Sequence, residues 1–392
     1  MNYTTLTEIY TDLESGSRPK GGVSTTSGDI PTIGAEHLNN TGTINSHNLK
    51  YIEKDFFASM KHGHITTEDI LIVKDGATTG KVAFVDDAFP YKKAAINEHV
   101  FRVAIDKNKA IPKYVFYFLS SSLGKQQIMS DFRGATVGGI SRQFADKIKV
   151  PLPDIAEQKR IVAILNLVSS FINTRKESIK HLDDFLRSTF LEMFGDPREN
   201  NKKWDLPKLG NICSKITDGT HKTPKYKNDG IRFVSAKNII GNHINWDQIK
   251  YISKDEHSAL YRRCNPQKGD IVLTKSGSIG TAALVDVDFE FSMFESLALI
   301  KYNPVSLNGY FLRDYLNMDS TKLFYSSSVK GISIRHLHLV DIRRLPLICP
   351  PLKLQNEYAT TVEQVESTKQ KMKESLEQMS NCFNALMQRY FG

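Results

Sequence analysis

Ile161-Val-Ala-Ile-Leu165-Asn-Leu-Val168 opens a run that continues through Leu186 to Met193-Phe194-Gly195, and a second run goes from Tyr358 through Phe383 to Tyr390-Phe391-Gly392. The two share one register: Ile161 corresponds to Tyr358 and Gly195 to Gly392, a constant displacement of 197 residues. Stepping by four and three, the first copy reads Ile161, Leu165, Val168, Ile172, Arg175, Ile179, Leu182, Leu186, Thr189, Met193. The second reads Tyr358, Val362, Val365, Lys369, Met372, Leu376, Met379, Phe383, Leu386, Tyr390. A 4-3 apolar alternation over four heptads predicts a long helix with a coiled-coil seam. Neither copy is interrupted by Pro or Gly. The charged exceptions fall at the fifth seam position of the first copy, Arg175, and at the fourth of the second, Lys369, where a polar residue weakens packing but fixes register.

Two such helices can bury their seams on each other, forming a rod of roughly 50 Å. The alternative is that each helix covers only its own globular neighbour; matched length and register favour the pair. The helices are electrically neutral. Asp154–Gly195 carries six basic and six acidic residues, and Leu352–Gly392 five of each. The excess of +9 over the whole chain therefore lies in the globular segments, which points to a polyanionic partner.

At 392 residues the chain is too long for one ordinary domain. No stretch approaches eighteen consecutive apolar residues, and Met1-Asn-Tyr-Thr-Thr begins without a basic or apolar leader, so a cytoplasmic protein is expected. Cys213, Cys264, Cys349 and Cys382 are scattered and suggest reduced thiols, neither a disulfide framework nor a zinc site.

The globular segments repeat too. Leu6, Ile9, Leu13 and Gly16 return as Leu209, Ile212, Ile216 and Gly219. Asp69-Ile-Leu-Ile-Val-Lys74-Asp-Gly76 returns as Asp270-Ile-Val-Leu-Thr-Lys275-Ser-Gly277, Glu98 as Glu295, and Gly139-Ile-Ser141 as Gly331-Ile-Ser333. The expected fold is α+β: two mixed, strand-rich domains held apart by an antiparallel pair of long helices, with internal pseudo-two-fold symmetry. Strands are expected at Asp69–Val73, Val82–Val85 and Asn97–Val103, with counterparts at Asp270–Thr274, Ala282–Val285 and Glu295–Tyr302; short helices are expected at Lys113–Ser121 and Leu307–Asn317. The boundaries are a first domain at 1–153, a helix at 154–195, a polar linker at 196–206, a second domain at 207–350 and a helix at 351–392. Asp154 with Glu157 predicts a capping box, and Gly195 a stop.

In this order the residues resemble the specificity subunit of type I restriction–modification systems. The resemblance rests on Ile216-Thr-Asp218-Gly219-Thr220-His221-Lys222-Thr223-Pro224, on Gly269 through Gly280, on Pro350-Pro351 with Gln355, and on Phe190-Leu-Glu-Met-Phe194-Gly195-Asp196. The first domain departs from it, with Ser15-Gly16-Ser-Arg18-Pro19 in place of the Asp-Gly-Thr-His loop. The resemblance implies a non-catalytic subunit of an adenine methyltransferase/endonuclease complex. Each domain is a target-recognition domain and reads one half of a bipartite, asymmetric site in double-stranded DNA. The helices set the spacing and dock two methyltransferase subunits, and restriction/translocase subunits complete the complex. S-adenosylmethionine, ATP and Mg are then expected in partner subunits, with no cofactor or metal in this chain.

The residues themselves argue the same way. No Asn/Asp-Pro-Pro-aromatic tetrapeptide is present for adenine methylation. Gly76-Ala-Thr-Thr-Gly80-Lys81 is one residue short of a P-loop. Pro153-Asp154-Ile-Ala-Glu157-Gln-Lys159 spells a nuclease pattern on a single helical turn, where capping accounts for both acids. The alternatives are a self-sufficient DNA adenine methyltransferase or restriction–modification fusion fragment, and a coiled-coil scaffold that binds no DNA. For DNA, glycine loops beside lysine let backbone and ammonium approach phosphate together, which nominates Lys74, Thr78, Lys81, Lys275 and Ser278. Base-edge or groove candidates are Arg18, Lys20, Arg142, His221, Lys222, Lys225 and Arg335. Helix pairing is assigned to the apolar seam: Ile161, Leu165, Val168, Ile172, Ile179, Leu182 and Leu186 with Val362, Val365, Met372, Leu376, Met379, Phe383 and Leu386.

Overall fold

Ile70-Leu-Ile-Val73 is apolar throughout because both faces of its sheet are buried. Ile70 and Ile72 enter one core with Val82, Phe84, Phe101 and the helical residues Tyr114 and Phe118. Leu71 and Val73 enter another with Ile33, Ala83, Val85 and Ile96. A period of two in the backbone thus divides one run between two cores. The computed structural model describes residues 2–20, 22–23, 28–134, 138–328 and 336–392. It divides into two units: Met1–Lys176 with Glu374–Gly392, and Glu177–Lys373.

In the first unit an antiparallel sheet has the order Tyr10–Ser15, Val100–Ile105, Ile70–Val73, Val82–Phe84. A three-stranded sheet has Ile30–Ile33 at its centre, antiparallel to Lys50–Ile52 and parallel to Ala95–Ile96. The second unit repeats both. Its four-stranded order is Cys213–Asp218, Leu297–Tyr302, Ile271–Thr274, Ala282–Leu284. Its three-stranded sheet centres on Ile231–Val234, antiparallel to Lys250–Ile252 and parallel to Ser292–Met293. The same division of side chains recurs, with Ile271 and Leu273 on one side and Val272 on the other.

Two expected strands begin late. Residues before Val100 and Leu297 form loops instead: Val100 N bonds back to Asn97 O, and Leu297 N to Phe294 O. Those loops carry Glu98 and Glu295. The short helices are Pro112–Ser120 and Gly309–Asn317, close to expectation.

The long helices are Ile155–Phe194 and Leu352–Phe391. In the first unit, Ile161 and Leu165 share a core with Met387 and Phe391, and Tyr117 bridges Asn166 by a hydrogen bond and Phe383 by ring contact. In the second unit, Phe190 and Phe194 pack on Tyr358, and Lys369 donates to Asp183. Each unit therefore contains an antiparallel pair of helix segments. Every seam position is buried or half-buried. Lys369 sits in the seam as one half of an ion pair, and Arg175 is half-buried. Off the seam, Leu167, Phe171 and Phe185 are exposed by half or more. Among the described residues, no helix is long and apolar enough to cross a membrane.

At the start of the first long helix, Asp154 Oδ1 accepts from Glu157 N at 2.8 Å, a true cap. The reciprocal half of the capping box is missing: the Glu157 carboxylate takes a bidentate contact from Arg160 instead. Gly195 ends the helix at φ 79°. A stronger fastening lies one turn in. Gln158 accepts from Ile111 N at 2.9 Å and donates to Pro153 O at 2.8 Å; Gln355 does the same with Asn308 N and Pro350 O, at 2.9 and 2.8 Å. Both are fully buried. Gln355→Leu keeps the volume but strands a backbone N–H and a carbonyl, so stability should fall by about 2 kcal/mol, read as a lower denaturant midpoint. An unchanged midpoint would show that neither group needs the amide.

Candidate nucleic-acid interface

The loop after the first strand of each four-stranded sheet is fixed by a glycine. A Cβ on Gly16 would lie 2.0 Å from Ile96 O, and one on Gly219 would lie 2.0 Å from Met293 O. Only glycine lets these loops press onto the neighbouring strand. The loops then present Arg18 and His221, which occupy the same position in the repeat. Each faces the equivalent glutamate: Arg18 Nη1 lies 3.6 Å from Glu98 Oε1, and His221 Nδ1 lies 2.6 Å from Glu295 Oε2. Sequence reasoning paired Glu98 with Glu295 in the repeat but did not see that they face the candidate readers.

Further loops join this cluster. Lys74 N donates to His99 O at 2.8 Å, and Ile140 N to Lys74 O at 2.8 Å. Lys275 N donates to Ser296 O at 2.7 Å, and Leu337 N to Lys275 O at 2.8 Å. In the first unit, His99 Nδ1 meets Asp75 Oδ1 at 2.5 Å, and Asp75 bridges to Gly139. Gly76 and Gly80 turn the connection at φ 92° and 82°, as Gly277 and Gly280 do at 74° and 81°. The structure thus brings Arg18 and Lys74 to Glu98, with Gly139 and Ile140 joined to Asp75 and Lys74 behind them.

The remaining candidates are placed as follows. Lys20, Arg142, Lys222, Lys225 and Ser278 are exposed; Thr78 is half-buried. Lys81 borders a cleft of about 1440 Å³ with Phe84, Phe116 and Val162. Arg335, with Gly331-Ile-Ser333, lies outside the described residues.

Lys275 is a correction. It is buried at 2% exposure, and its Nζ donates to Asp218 Oδ2 at 2.6 Å, so its ammonium is not offered to a phosphate. Its counterpart Lys74 has a 34% exposed side chain and reaches Glu98 O at 3.5 Å. The difference comes from Asp218, where the first unit has Ser15. Asp218 also meets Arg263 Nη2 and His221 Nε2, each at 3.2 Å. Burial alone would raise the Asp218 carboxyl; the hydrogen bond and charge of Lys275, with His221 and Arg263, hold it below the usual range instead.

His62 meets Glu14 at 3.3 Å, His64 stacks on Phe57 at 4.4 Å, and His336 and His338 lie edge to face. Among the described residues, no group of three His, Cys, Asp or Glu side chains is arranged to hold a metal ion.

The duplication also shows in the comparisons with known proteins. The family model described as Type I restriction modification DNA specificity domain matches residues 1–182 and again 201–379. The type I restriction enzyme MjaVIII specificity subunit of Methanocaldococcus jannaschii is 20% identical over 333 residues, covering 80% of this chain and 76% of that one. The EcoKI specificity subunit of Escherichia coli (strain K12) is 21% identical over 395 residues, covering 92% and 82%. Among solved structures, the type I restriction-modification S subunit from M. genitalium aligns with a TM-score of 0.54 at 15% identity, covering 100% of this chain and 96% of that one. A chain from a structure of type I R-M complex assembly and conformational transition aligns with a TM-score of 0.56 at 16% identity, covering 100% and 97%. With both halves matched by one family model and the same topology built twice, this chain belongs to the type I restriction–modification DNA specificity family.

Proposed function

We propose that the chain is the DNA-recognition subunit of a type I restriction–modification complex, without catalytic chemistry of its own. Each strand-rich domain, residues 1–153 and 207–350, reads one half of a bipartite asymmetric site. The long helices, 154–195 and 351–392, set the gap and dock two methyltransferase subunits; restriction/translocase subunits bind the same assembly. S-adenosylmethionine, ATP and Mg belong to those partners, and the complex works in the cytoplasm. The observation that carries this reading is the repeated loop cluster: one topology, used twice, presents non-identical side chains at identical positions, as two different half-sites require. The basic excess outside the helices supplies the sequence-independent attraction for phosphate.

The test is an exchange. Replacing residues 1–150 with those of a relative should change the bases selected in one half-site and leave the other intact, as read by sequencing duplexes bound by the full chain. A change in both halves would overturn the two-headed arrangement. In the same assay a DNA reader loses affinity linearly in log salt, by about 0.9 per phosphate contact, whereas a protein-only scaffold shows no such slope. Binding of labelled S-adenosylmethionine by the isolated chain would favour a self-sufficient methyltransferase instead.

A further inference from the structure

We propose that Arg18 is the guanine-reading residue of the first unit, that Glu98 positions it, and that His221 at the same position of the second unit is a strut rather than a reader. The inference rests on the reading above that the chain binds duplex DNA.

The two side chains start from equivalent loops, each fixed by a glycine that touches the adjoining strand. Both are well exposed, at 61% and 59% of the side chain, and both face the equivalent glutamate. Their remaining capacity differs. A guanidinium has five N–H donors in a planar fork. Arg18 meets Glu98 through Nη1, at 3.6 Å, and passes Nη2 near Gly22; among the described residues its remaining donors take no other partner, and 61% of the side chain faces solvent. An open arginine edge matches the O6 and N7 acceptors of guanine, the commonest specific contact in the major groove. Glu98 Oε1 also lies 3.5 Å from His99 Nε2, so the carboxylate that faces Arg18 is held from a second side.

His221 has no such surplus. An imidazole has two polar atoms, and both are engaged: Nδ1 with Glu295 at 2.6 Å and Nε2 with Asp218 at 3.2 Å. Asp218 is held in turn by the buried Lys275 Nζ at 2.6 Å and by Arg263 at 3.2 Å. A buried ion pair behind an exposed histidine is a scaffold for that histidine. The first unit cannot build it, because Ser15 stands where Asp218 would be. One repeat position is therefore a reader in the first unit and a brace in the second, and the two half-sites differ there.

The test uses the full chain with a pool of duplexes randomised over the site, selected by gel shift at several salt concentrations and sequenced. The wild type should enrich a guanine in one half-site. Arg18→Ala should reduce preference at that single base pair by about 10- to 100-fold, leaving every other position and the salt slope in place. Glu98→Gln should weaken the same preference without abolishing it, and Glu98→Asp should restore part of it. His221→Ala should leave the identity of the second unit's bases unchanged. An unaltered base preference in Arg18→Ala would overturn the assignment. So would a uniform loss over all sequences with the salt slope reduced by about one, the mark of a phosphate contact. A base lost from the second half-site in His221→Ala would overturn the strut. A wild type that binds no duplex in a salt-dependent way would instead bring down the DNA-binding function, and this assignment with it.

Discussion

Arg313→Met should lower the stability of the second unit by about 3–5 kcal/mol. The guanidinium is 1% exposed. Its Nε and Nη2 grip Asp314 at 2.7 and 3.0 Å, and its Nη1 meets Glu366 Oε1 at 2.6 Å; Tyr358 donates to Asp314 Oδ2 at 2.8 Å. Glu366 and Tyr358 stand on the long helix, so this cluster joins helix Gly309–Asn317 to it. Burial alone would lower the guanidinium's pKa, and the two carboxylates more than reverse that. Without the cation, Asp314 and Glu366 are left largely buried and mutually repulsive, which is the costly way to break a buried pair. The first unit shows another solution at the same joint. There Phe116 and Tyr117 take the places of Arg313 and Asp314, Ser169 that of Glu366, and Tyr117 bonds Asn166 at 2.6 Å. Importing that solution with Arg313→Phe, Asp314→Tyr, Glu363→Asn, Glu366→Ser and Tyr358→Ile should recover most of the loss. Guanidinium melts of the full chain decide the matter; a loss under about 1 kcal/mol for Arg313→Met would mean water already screens the cluster.

The two units solve one packing problem with different residues, and this marks what a reader of the sequence can recover. The seam was legible because its period lies along a single helix: the step from Ile161 to Leu165 to Val168 needs no partner to be seen. The apolar run Ile70–Val73 was legible because both of its faces are buried. Sheet order was not, since Tyr10–Ser15 finds Val100–Ile105 far along the chain and no local pattern names that partner. The site was half legible. Arg18, His221 and their glutamates stood in register across the repeat, yet that they face each other is a fact of three dimensions. Lys275 was misassigned because its glycine loop spells nearly the same text as that of Lys74. What separates them is whether Asp218 or Ser15 sits on a strand two places across the sheet.

At pH 7, Asp131→Ala should cost about 3 kcal/mol, and the deficit should shrink in acid. The Asp131 side chain has no exposure to solvent. It accepts from Ser141 N at 2.9 Å, Ser141 Oγ at 2.7 Å, Lys147 Nζ at 2.6 Å and Arg133 Nη2 at 3.2 Å. Burial alone would raise this carboxyl; the hydrogen bonds from Lys147 and Ser141 outweigh it and hold the group well below the usual carboxylate range. A depressed carboxyl contributes stability that is fully present above its unfolded pKa, about 3.9, and is lost as pH falls through the folded value. Wild type and variant should therefore differ most at neutral pH and converge below about pH 4. Asp69 and Asp270, which burial pushes up, act with the opposite sign in both proteins, so they cancel in the comparison. Denaturant midpoints at several pH values check this; a gap that stays constant into acid would assign the loss to packing alone. The consequence reaches the candidate interface, because Asp131 pins Ser141, and Ile140 beside it donates to the carbonyl of Lys74. Releasing that pin frees the segment bearing Arg142, so the variant should select bases less sharply in the first half-site while the second keeps its own.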